Sequence, residues 1–450
     1  MNVRAVFVAL ALASAPAVAF AQAAAPAAVE TKRAVNVQRV VSPGGIEAWL
    51  VSDSTVPIIE FRAYWKGGGS TVDPPGKQGA ASMMADMLTE GAGSMDDEAF
   101  KVRLEELNMS LGFGPGADGF SMSLTTLTEN RDAAFEMARL ALASPRFDPE
   151  PLARIKRQAE IGIKTRETNA GYIAGLAMDN ATIPGHPYAS RTSLASVQSI
   201  TKADLQARMT ALMGGDNHKV VAVGDINAAT LGALMDKTFA SLPAKTAVTN
   251  VPDVTPKAGP VVIVKALPQP QSSITFSAPG IQDEDPDWIA LNVANYILGG
   301  GGFSSRLMDE VREKRGLVYG INTGPSVREH SASVRGSAST ANKNVKGAID
   351  LIKVEIGRLR DAGPTQAEVD DAKRYMTGSF ALALDSNANI AGVLSGYQAA
   401  GRDIEYVNRR NALFEKITRD DVWRATKRVF DPNAFVFVVV GMPDGMPPTP

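Results

Sequence analysis

The sequence predicts an α+β fold of two homologous domains related by internal duplication, each a mainly antiparallel sheet packed with helices. Three observations predict this class. The chain has 450 residues, more than the roughly 100–200 residues of a common single domain. Short sequence blocks recur at one constant spacing. Strand patterns and helix patterns both occur in each half of the chain.

The constant spacing is 217 residues. The block ITKAD at Ile200 recurs as ITRDD at Ile417, and 417 − 200 = 217. VVAVGD, which contains Gly224, recurs as FVVVGM, which contains Gly441, and 441 − 224 = 217. The block YIAG recurs as NIAG at the same spacing. Three blocks at one long spacing indicate two homologous domains rather than a short-period solenoid.

The first half opens with GGIEAWLVSDSTVPIIEFRAYWKGGG, which predicts two strands separated by turn residues. Helical patterns follow at Gly79–Glu90, Asp96–Asn108, Glu129–Ala143 and Pro149–Gly171. A helix opened by Ile-Thr and an apolar strand then complete this half.

The second half repeats this order. It opens with the strand pattern VVIVKALPQPQSSITFSAPG. Its helical patterns lie at Asp285–Leu298, Ser304–Arg315, Asn344–Asp361 and Gln366–Ala383. The Pro-punctuated stretch Ser241–Pro260 is the best linker candidate between the halves. We therefore expect a first domain at 30–245, a linker at 246–260 and a second domain at 261–450.

The start of the chain has the pattern of a secretory signal. An apolar run at Ala5–Leu12 precedes small residues at Ala19 and Ala21, spaced as signal peptidase requires. The alternative, a membrane anchor, is disfavoured because the run is short and broken by Pro16. We expect a signal peptide at 1–21, a periplasmic or otherwise exported mature chain, and no membrane span after cleavage.

Composition excludes several function classes. There are no cysteines, which rules out thiol chemistry and disulfide staples. The net charge is only -2, from 46 basic and 48 acidic residues, so no overall field favours nucleic acid or an anionic membrane. The expected partner is a peptide, a protein or a small molecule.

Four ordered motifs carry a family resemblance. They are GHPYASR at Gly185–Arg191, VVAVGD at Val220–Asp225, LGGGGFSSRLMDEVREKRGLVYG at Leu298–Gly320, and the terminal VVVG. Together with the duplication, this order resembles the pitrilysin or insulinase-like zinc metallopeptidases, over nearly the whole mature chain. The glycine run alone could suggest a phosphate loop, but it lacks the Gly-Lys-Ser/Thr ending and a strand directly before it.

Active members of that family carry the inverted zinc motif H-x-x-E-H on a helix. Two imidazoles at i and i+4 on one helix face bind zinc, and the Glu between them activates the metal-bound water. A further ligand is a Glu on a later helix. The resemblance places the following residues at these four positions: Ser82, Ala85, Asp86 and Gly162. It therefore implies a non-catalytic type of chain with no metal cofactor of its own.

Other local sequence patterns give weaker evidence for a functional site. Asp86 and Glu90, one helical turn apart, could share a different metal, but two carboxylates fall short of the ligand number that calcium prefers. The three histidines are scattered: we expect His186 in a loop and both His218 and His330 at strand edges. No local signature indicates a Ser-His-Asp triad.

The second half keeps the residues that the family uses opposite zinc. The resemblance assigns this role to an Arg and a Tyr seven residues apart, here Arg312 and Tyr319. A phenol and a guanidinium at these positions could stabilise the negative oxygen that develops in peptide hydrolysis. Without the resemblance, they read as a helix-surface arginine and a core tyrosine.

The glycine-rich stretch has two interpretations. Four consecutive glycines before Ser304, a plausible helix N-cap, could form only a helix end and a flexible turn. Non-catalytic subunits of the family use such a loop in handling substrate. The resemblance thus implies substrate-binding roles for Gly300, Gly301, Gly302 and Phe303.

A chain that lacks the zinc residues but has the Arg–Tyr pair suggests that a second, homologous chain supplies the zinc residues. The leading hypothesis is a non-catalytic subunit of an exported heterodimeric zinc peptidase, whose homologous partner carries the zinc and which acts on peptides. The rival is a stand-alone peptide-binding or scaffold protein. An independent hydrolase with another mechanism has no motif behind it.

Overall fold

The computed structural model describes residues 34–67 and 69–449 of the chain. The predicted signal peptide, 1–21, lies outside these residues. Within them, eleven strands form two sheets that pack with fourteen α-helices, which confirms the α+β class. None of the helices described is both long enough and apolar enough to span a membrane.

The first sheet has six strands in the order β1-β2-β6-β3-β5-β4. Only the pair β2 and β6 is parallel, and the other neighbours are antiparallel. The strands are β1 Gln38–Val41, β2 Glu47–Ser52, β3 Ile58–Lys66, β4 Ser110–Pro115, β5 Gly119–Leu127 and β6 His218–Gly224.

The second sheet has five strands in the order β7-β11-β8-β10-β9. The strands are β7 Val262–Ala266, β8 Gln271–Pro279, β9 Gly320–Arg328, β10 Ser331–Ala341 and β11 Val436–Gly441. Here too one pair, β7 and β11, is parallel. Without β1, the two sheets have the same order and the same parallel pair. The predicted duplication into mainly antiparallel sheets is thereby confirmed.

The helices repeat as well. Those of the first half are α1 Ala80–Met87, α2 Asp97–Glu106, α3 Arg131–Ala143, α4 Pro149–Arg166, α5 Ala170–Thr182, α6 Leu194–Ser199, α7 Lys202–Leu212 and α8 Ala228–Phe239. Those of the second half are α9 Trp288–Asn295, α10 Val345–Ala362, α11 Gln366–Gly378, α12 Asn387–Ala399, α13 Tyr406–Lys416 and α14 Arg419–Val429. The starts of α5 and α12 differ by 387 − 170 = 217, and those of α7 and α14 by 419 − 202 = 217.

The repeated ITKAD and ITRDD blocks have a local physical reason. The Thr201 hydroxyl accepts from the backbone N–H of Asp204, and the Asp204 carboxylate accepts from the backbone N–H of Thr201. Thr418 and Asp421 form the same capping box at the start of α14. Each box satisfies N–H groups that a helix start leaves unpaired.

One predicted helix is two. The pattern over Pro149–Gly171 covers α4, which ends at Arg166, and the beginning of α5. Asn169 lies between them, and its side chain accepts from the backbone N–H of Tyr172 at 2.9 Å. This N-cap starts a new helix because the short polar side chain satisfies a free N–H there.

Each half contributes one helix that packs on the sheet of the other half. Helix α5 covers the outer face of β11, where Ala174 and Met178 join Val438 in a buried cluster. Helix α12 of the second half covers the outer face of the first sheet, where Leu394 packs with Val223. With both faces covered, β6 and β11 are apolar along most of their length.

The segment between the halves contains no helix or strand at 246–261. It is nevertheless bonded to both halves: the Val254 N–H donates to the His330 carbonyl at 2.8 Å and the Lys257 N–H to the Thr182 carbonyl at 2.7 Å. The exact domain and linker limits stay predictions.

Candidate functional site

Helix α1 carries three of the four positions where the family places zinc chemistry. Its alanines and methionines are strong helix formers, and most are buried in the core of the first half. Ser82 and Asp86 lie one turn apart on its exposed face, whereas Ala85 points inward and is only 4% exposed. The exposed face is thus accessible to a ligand, but at these positions it carries only a hydroxyl and one carboxylate.

A buried ion pair holds the start of α1. The Asp73 carboxylate accepts from the backbone N–H groups of Gly79 at 2.8 Å and Ala81 at 3.0 Å. Arg208 of α7 donates to the same carboxylate at 3.1 Å and to the Gly69 carbonyl at 2.9 Å. A negative group at a helix N-terminus is favourable, so this pair fixes the helix from inside the protein.

The fourth position, Gly162, lies on α4, which packs against α1. A Cβ added to it would meet nothing within 4 Å. The position therefore faces open space, and a larger side chain would fit there. Among the described residues, no three His, Asp or Glu side chains come together as potential metal ligands. The residues present do not fit a zinc ion.

The two carboxylates of the possible Asp86–Glu90 metal site have different surroundings. Glu90 makes ion pairs with Lys101 at 2.6 Å and with Arg154 of α4. Desolvation, and then the charge of Glu90, raise the pKa of Asp86. Glu90 is thus engaged by two cations, whereas Asp86 makes no ion pair with any residue the structure describes.

The glycine-rich stretch continues α9 as a π-helical turn at Tyr296–Gly300, closed by the Gly301 N–H bonded to the Tyr296 carbonyl at 2.9 Å. A Cβ on Gly299 would lie 2.6 Å from the Thr323 hydroxyl oxygen. A Cβ on Gly301 would lie 2.8 Å from the Tyr296 carbonyl oxygen. Packing inside the chain alone thus requires glycine at both positions. Such π-helical turns are frequent at functional sites.

The next helix begins later than the sequence predicts. Ser304 ends a 3₁₀ turn that starts at Gly302, whose φ is +56°, and Ser304 caps no helix. The helix starts at Arg306, after Ser305, whose hydroxyl donates to the Gly302 carbonyl at 2.6 Å. The predicted N-cap at Ser304 is wrong because the glycine turn tightens into 3₁₀ geometry first.

Arg312 lies in a second π-helical stretch, Met308–Glu313. Its guanidinium carbon is 4.8 Å from the ring centre of Phe303, and one of its nitrogens is 2.8 Å from the Glu313 carboxylate. Phe303 is 69% exposed. The structure therefore brings the predicted Arg312 and Phe303 together on the surface.

Tyr319 directly precedes β9, the outer strand of the second sheet. Its backbone N–H donates to the Ser339 carbonyl at 2.9 Å, while its side chain is 59% exposed. No hydrogen bond joins its hydroxyl to any residue the structure describes. It is not a core tyrosine, which the sequence alone suggested, and its phenol is free to contact another molecule.

Each of the three histidines makes a polar contact within the protein. His186 caps a 3₁₀ turn and contacts the Pro252 carbonyl oxygen at 2.8 Å. His218 begins β6, and its Nδ1 is 3.1 Å from the Gly214 carbonyl oxygen. His330 lies in the β9–β10 turn, 2.9 Å from the Asp253 carboxylate. His186 and His330 both contact Tyr188, and none of the three belongs to a cluster of potential metal ligands among the described residues.

A cavity of about 220 Å³, here called the arginine cavity, opens beside Ser82. Its charged lining consists of Arg166 at the end of α4, Arg191, Arg328 at the end of β9, and Asp73. Sequence reasoning missed it. Arg191 ends the GHPYASR motif, but Arg328 reaches the site from the second half, a contact that no local pattern indicates.

Comparisons with known proteins indicate the family of the chain. A family model described as "Peptidase M16 inactive domain" matches residues 199–376. The "Non-peptidase homolog YmxG" of Helicobacter pylori is 24% identical over 389 residues, covering 86% of this chain and 89% of that protein.

Two solved structures share the fold. The crystal structure of a peptidase M16 inactive domain from Pseudomonas fluorescens has a TM-score of 0.84 at 30% identity, covering 92% of this chain and 100% of that one. The periplasmic protease PqqL of Escherichia coli has a TM-score of 0.78 at 14% identity, covering 92% of this chain but 46% of that one. This chain thus spans about half the length of PqqL. The protein belongs to the M16 family of pitrilysin-like metallopeptidases, among its inactive members.

Proposed function

We propose that this chain is the non-catalytic subunit of an exported heterodimeric zinc peptidase. In this proposal a homologous partner carries the zinc, and this chain contributes peptide binding and transition-state support. The observation that carries the proposal is the contrast between its halves. The described part of the first half presents no zinc ligand set, while the second half presents Arg312, Phe303 and Tyr319 on its surface.

The chemistry of the first half supports a non-catalytic role. Ser82, Ala85 and Gly162 offer no imidazole and no general base, and Asp86 is a lone carboxylate. Helix α1 is held by Asp73 and Arg208. It therefore needs no bound metal to stay in place.

The chemistry of the second half supports a contribution to catalysis. Peptide hydrolysis turns a neutral carbonyl oxygen into a negative one, and preplaced N–H and O–H donors stabilise that charge. The Tyr319 hydroxyl has no partner among the described residues, so it is available for this oxygen. The Arg312 guanidinium is partly exposed and is held by the Phe303 ring and by Glu313, so it offers a second donor on this half.

The likeness to PqqL supports a two-unit architecture. A fold of this size covers 46% of that chain, so PqqL has room for two such units in one polypeptide. We infer that here the second unit is a separate subunit. The signal-like start of this sequence supports export, and the periplasm is the proposed location.

The alternative is a stand-alone peptide-binding scaffold without enzymatic function. It is favoured by the loss of all four zinc positions together. Arg312 and Tyr319 discriminate between the two, because a scaffold needs no oxyanion donors.

The test is reconstitution. The mature chain is co-expressed with each family member of the source genome that keeps H-x-x-E-H, and the products are separated by size and assayed for peptide cleavage. We expect one stable heterodimer and peptidase activity only in the mixture. Monomers with every homologue, and no gain of activity, would replace the proposal with the scaffold alternative.

A further inference from the structure

The arginine cavity has an excess of unpaired positive charge. Among residues 34–67 and 69–449, no hydrogen bond or ion pair reaches the guanidinium of Arg166 or of Arg328. Arg166 lies 6.0 Å from the ring centre of Tyr172, and Arg328 stacks over Tyr188 at 4.7 Å. The N–H donors of both guanidinium groups therefore have no partner among the described residues; Arg166 is exposed and Arg328 is half-buried.

The third arginine of the cavity, Arg191, is held by an ion pair. Arg191 donates to the Asp179 carboxylate at 2.5 Å and to the Tyr188 carbonyl at 3.0 Å. Arg335 donates to the other oxygen of Asp179 at 3.1 Å. This carboxylate is thereby shared between two arginines and forms no ion pair with Arg328, although its charge acts on Arg328. Burial, and then the nearby charge of Arg335, lower the pKa of Arg328.

The other acidic groups nearby are also engaged. Asp73 lines the cavity but is bonded to Arg208 and to the start of α1. Asp118 accepts from the Tyr188 hydroxyl and from the Glu329 backbone N–H at 3.0 Å. Among the described residues, no carboxylate therefore forms a hydrogen bond or ion pair with Arg166 or Arg328, although the charges of Asp179 and Asp118 act on Arg328. An external anion would supply a direct partner.

The shape of the site indicates the kind of anion. The cavity of about 220 Å³ is smaller than the roughly 300–1,000 Å³ of sites that enclose a drug-sized molecule. A second cavity, of about 410 Å³, adjoins it and shares five lining residues: Thr71, Asp73, Gln78, Pro187 and Ser190. Its lining contains no Lys or Arg. A short polypeptide can therefore occupy the larger space and end among the arginines.

We propose that the arginine cavity binds the C-terminal carboxylate of a peptide through Arg166 and Arg328. Guanidinium groups bind carboxylates by paired, charge-assisted hydrogen bonds. Ser82, one of the degenerate zinc positions, also lines the site. This inference rests on the peptide binding in the proposed function and adds the chemical group that is recognised.

The test uses the full mature chain and N-terminally fluorescein-labelled decapeptide pools, measured by fluorescence anisotropy. One pool has free C-terminal carboxylates and no Asp or Glu, and a second has the same sequences with C-terminal amides. A third pool is amidated but carries one internal Glu. We expect the free-acid pool to bind about 10- to 100-fold more tightly than either amidated pool, as charged hydrogen bonds do.

Variants assign the effect to the cavity. Arg328→Gln and Arg166→Gln should bring the free-acid pool to the affinity of the amidated pool, while Arg328→Lys should keep part of the preference because the charge remains. Arg157→Gln is the matched control, since Arg157 is exposed on α4 and does not line the cavity. Circular dichroism and urea unfolding establish that each variant is folded.

The outcomes separate this inference from the proposed function. Equal binding of free-acid and amidated pools would overturn carboxylate recognition and leave peptide binding intact. Equal binding of the free-acid pool and the internal-Glu pool would overturn the terminal site in favour of acidic side chains. Binding of no pool would overturn this inference and also count against peptide binding by the isolated subunit.

Discussion

The substitution Asp73→Asn should destabilise the first half strongly. It keeps the shape of the side chain but removes a charge that is 1% exposed, and it leaves the guanidinium of Arg208, 6% exposed, buried without a counter-ion. Removing one partner of a buried ion pair typically costs about 3–5 kcal/mol. Loss of the negative charge at the N-terminus of α1 acts in the same direction.

Urea unfolding followed by tryptophan fluorescence measures this loss, because Trp49 and Trp65 are both buried in the first sheet. With a denaturant slope of about 3 kcal/mol/M, the midpoint should fall by about 1–1.7 M. Glu106→Gln is the control: its pair with Arg103 is exposed, and such pairs contribute at most about 1 kcal/mol.

A second variant tests the cause. Asp73→Asn combined with Arg208→Met removes both charges, so it should recover part of the stability that the single change loses. An Asp73→Asn chain within about 1 kcal/mol of wild type would refute the reasoning that this ion pair holds α1.

The other predictions concern metal binding, the glycine turn and pH. The mature chain purified without an affinity tag should contain no stoichiometric zinc by elemental analysis, and one tightly bound zinc per chain would contradict the account. Zinc binding should appear when the motif is restored by four substitutions: Ser82→His, Ala85→Glu, Asp86→His and Gly162→Glu. Gly301→Ala should cost about 1–3 kcal/mol in urea unfolding because its Cβ would collide with the Tyr296 carbonyl, whereas Gly324→Ala, with nothing within 4 Å, should cost nothing measurable. Hydrogen bonds, the largest contribution coming from Lys314, lower the pKa of Glu310 from 4.5 to about 2. The stability that Glu310 adds is therefore present above pH 4.5 and lost as the pH falls toward 2. The difference in unfolding free energy between wild type and Glu310→Gln should vanish over that range, and a difference that stays constant would contradict this prediction.

The duplication could be predicted from sequence because its signals are local. The capping boxes at Thr201 and Thr418 need only residues three positions away. They therefore reveal both the helix starts and the spacing of 217 residues between them. The two sheets and their shared order follow the same repeat.

Helix limits were harder to predict where polar caps compete with apolar periodicity. The pattern across α4 and α5 continues without a break, although Asn169 starts a new helix. At the glycine turn, Ser304 has the type of an N-cap, but the 3₁₀ turn after Gly301 moves the helix start to Arg306. In both places the geometry of a few backbone groups decides the outcome.

Long-range contacts were not predictable from local patterns. The exchange of α5 and α12 between the halves depends on which sheet face is left uncovered, and a single helix does not encode this. Likewise, Arg328 reaches Tyr188 only because the β9–β10 hairpin docks on the first half, where the His330 N–H donates to the Tyr188 hydroxyl at 3.1 Å. The site roles of Arg312 and Tyr319 stay predictions from the family resemblance.

The central claim is that this subunit supplies transition-state donors to its partner. Removing one such donor typically lowers turnover about 100- to 1,000-fold. Tyr319→Phe should do so with little effect on folding, because the exposed hydroxyl has no partner among the described residues. Arg315→Ala is the control, since Arg315 pairs with Glu310 and lies outside the proposed pair.

The most direct measurement is the turnover of the purified heterodimer that carries Arg312→Ala and Tyr319→Phe in this chain. Assembly is first verified by size-exclusion chromatography, and the partner's zinc content by elemental analysis. The account predicts an intact, zinc-loaded complex whose kcat is at least about 100-fold below wild type. Wild-type turnover in that complex would contradict the account and show that this subunit contributes no chemistry.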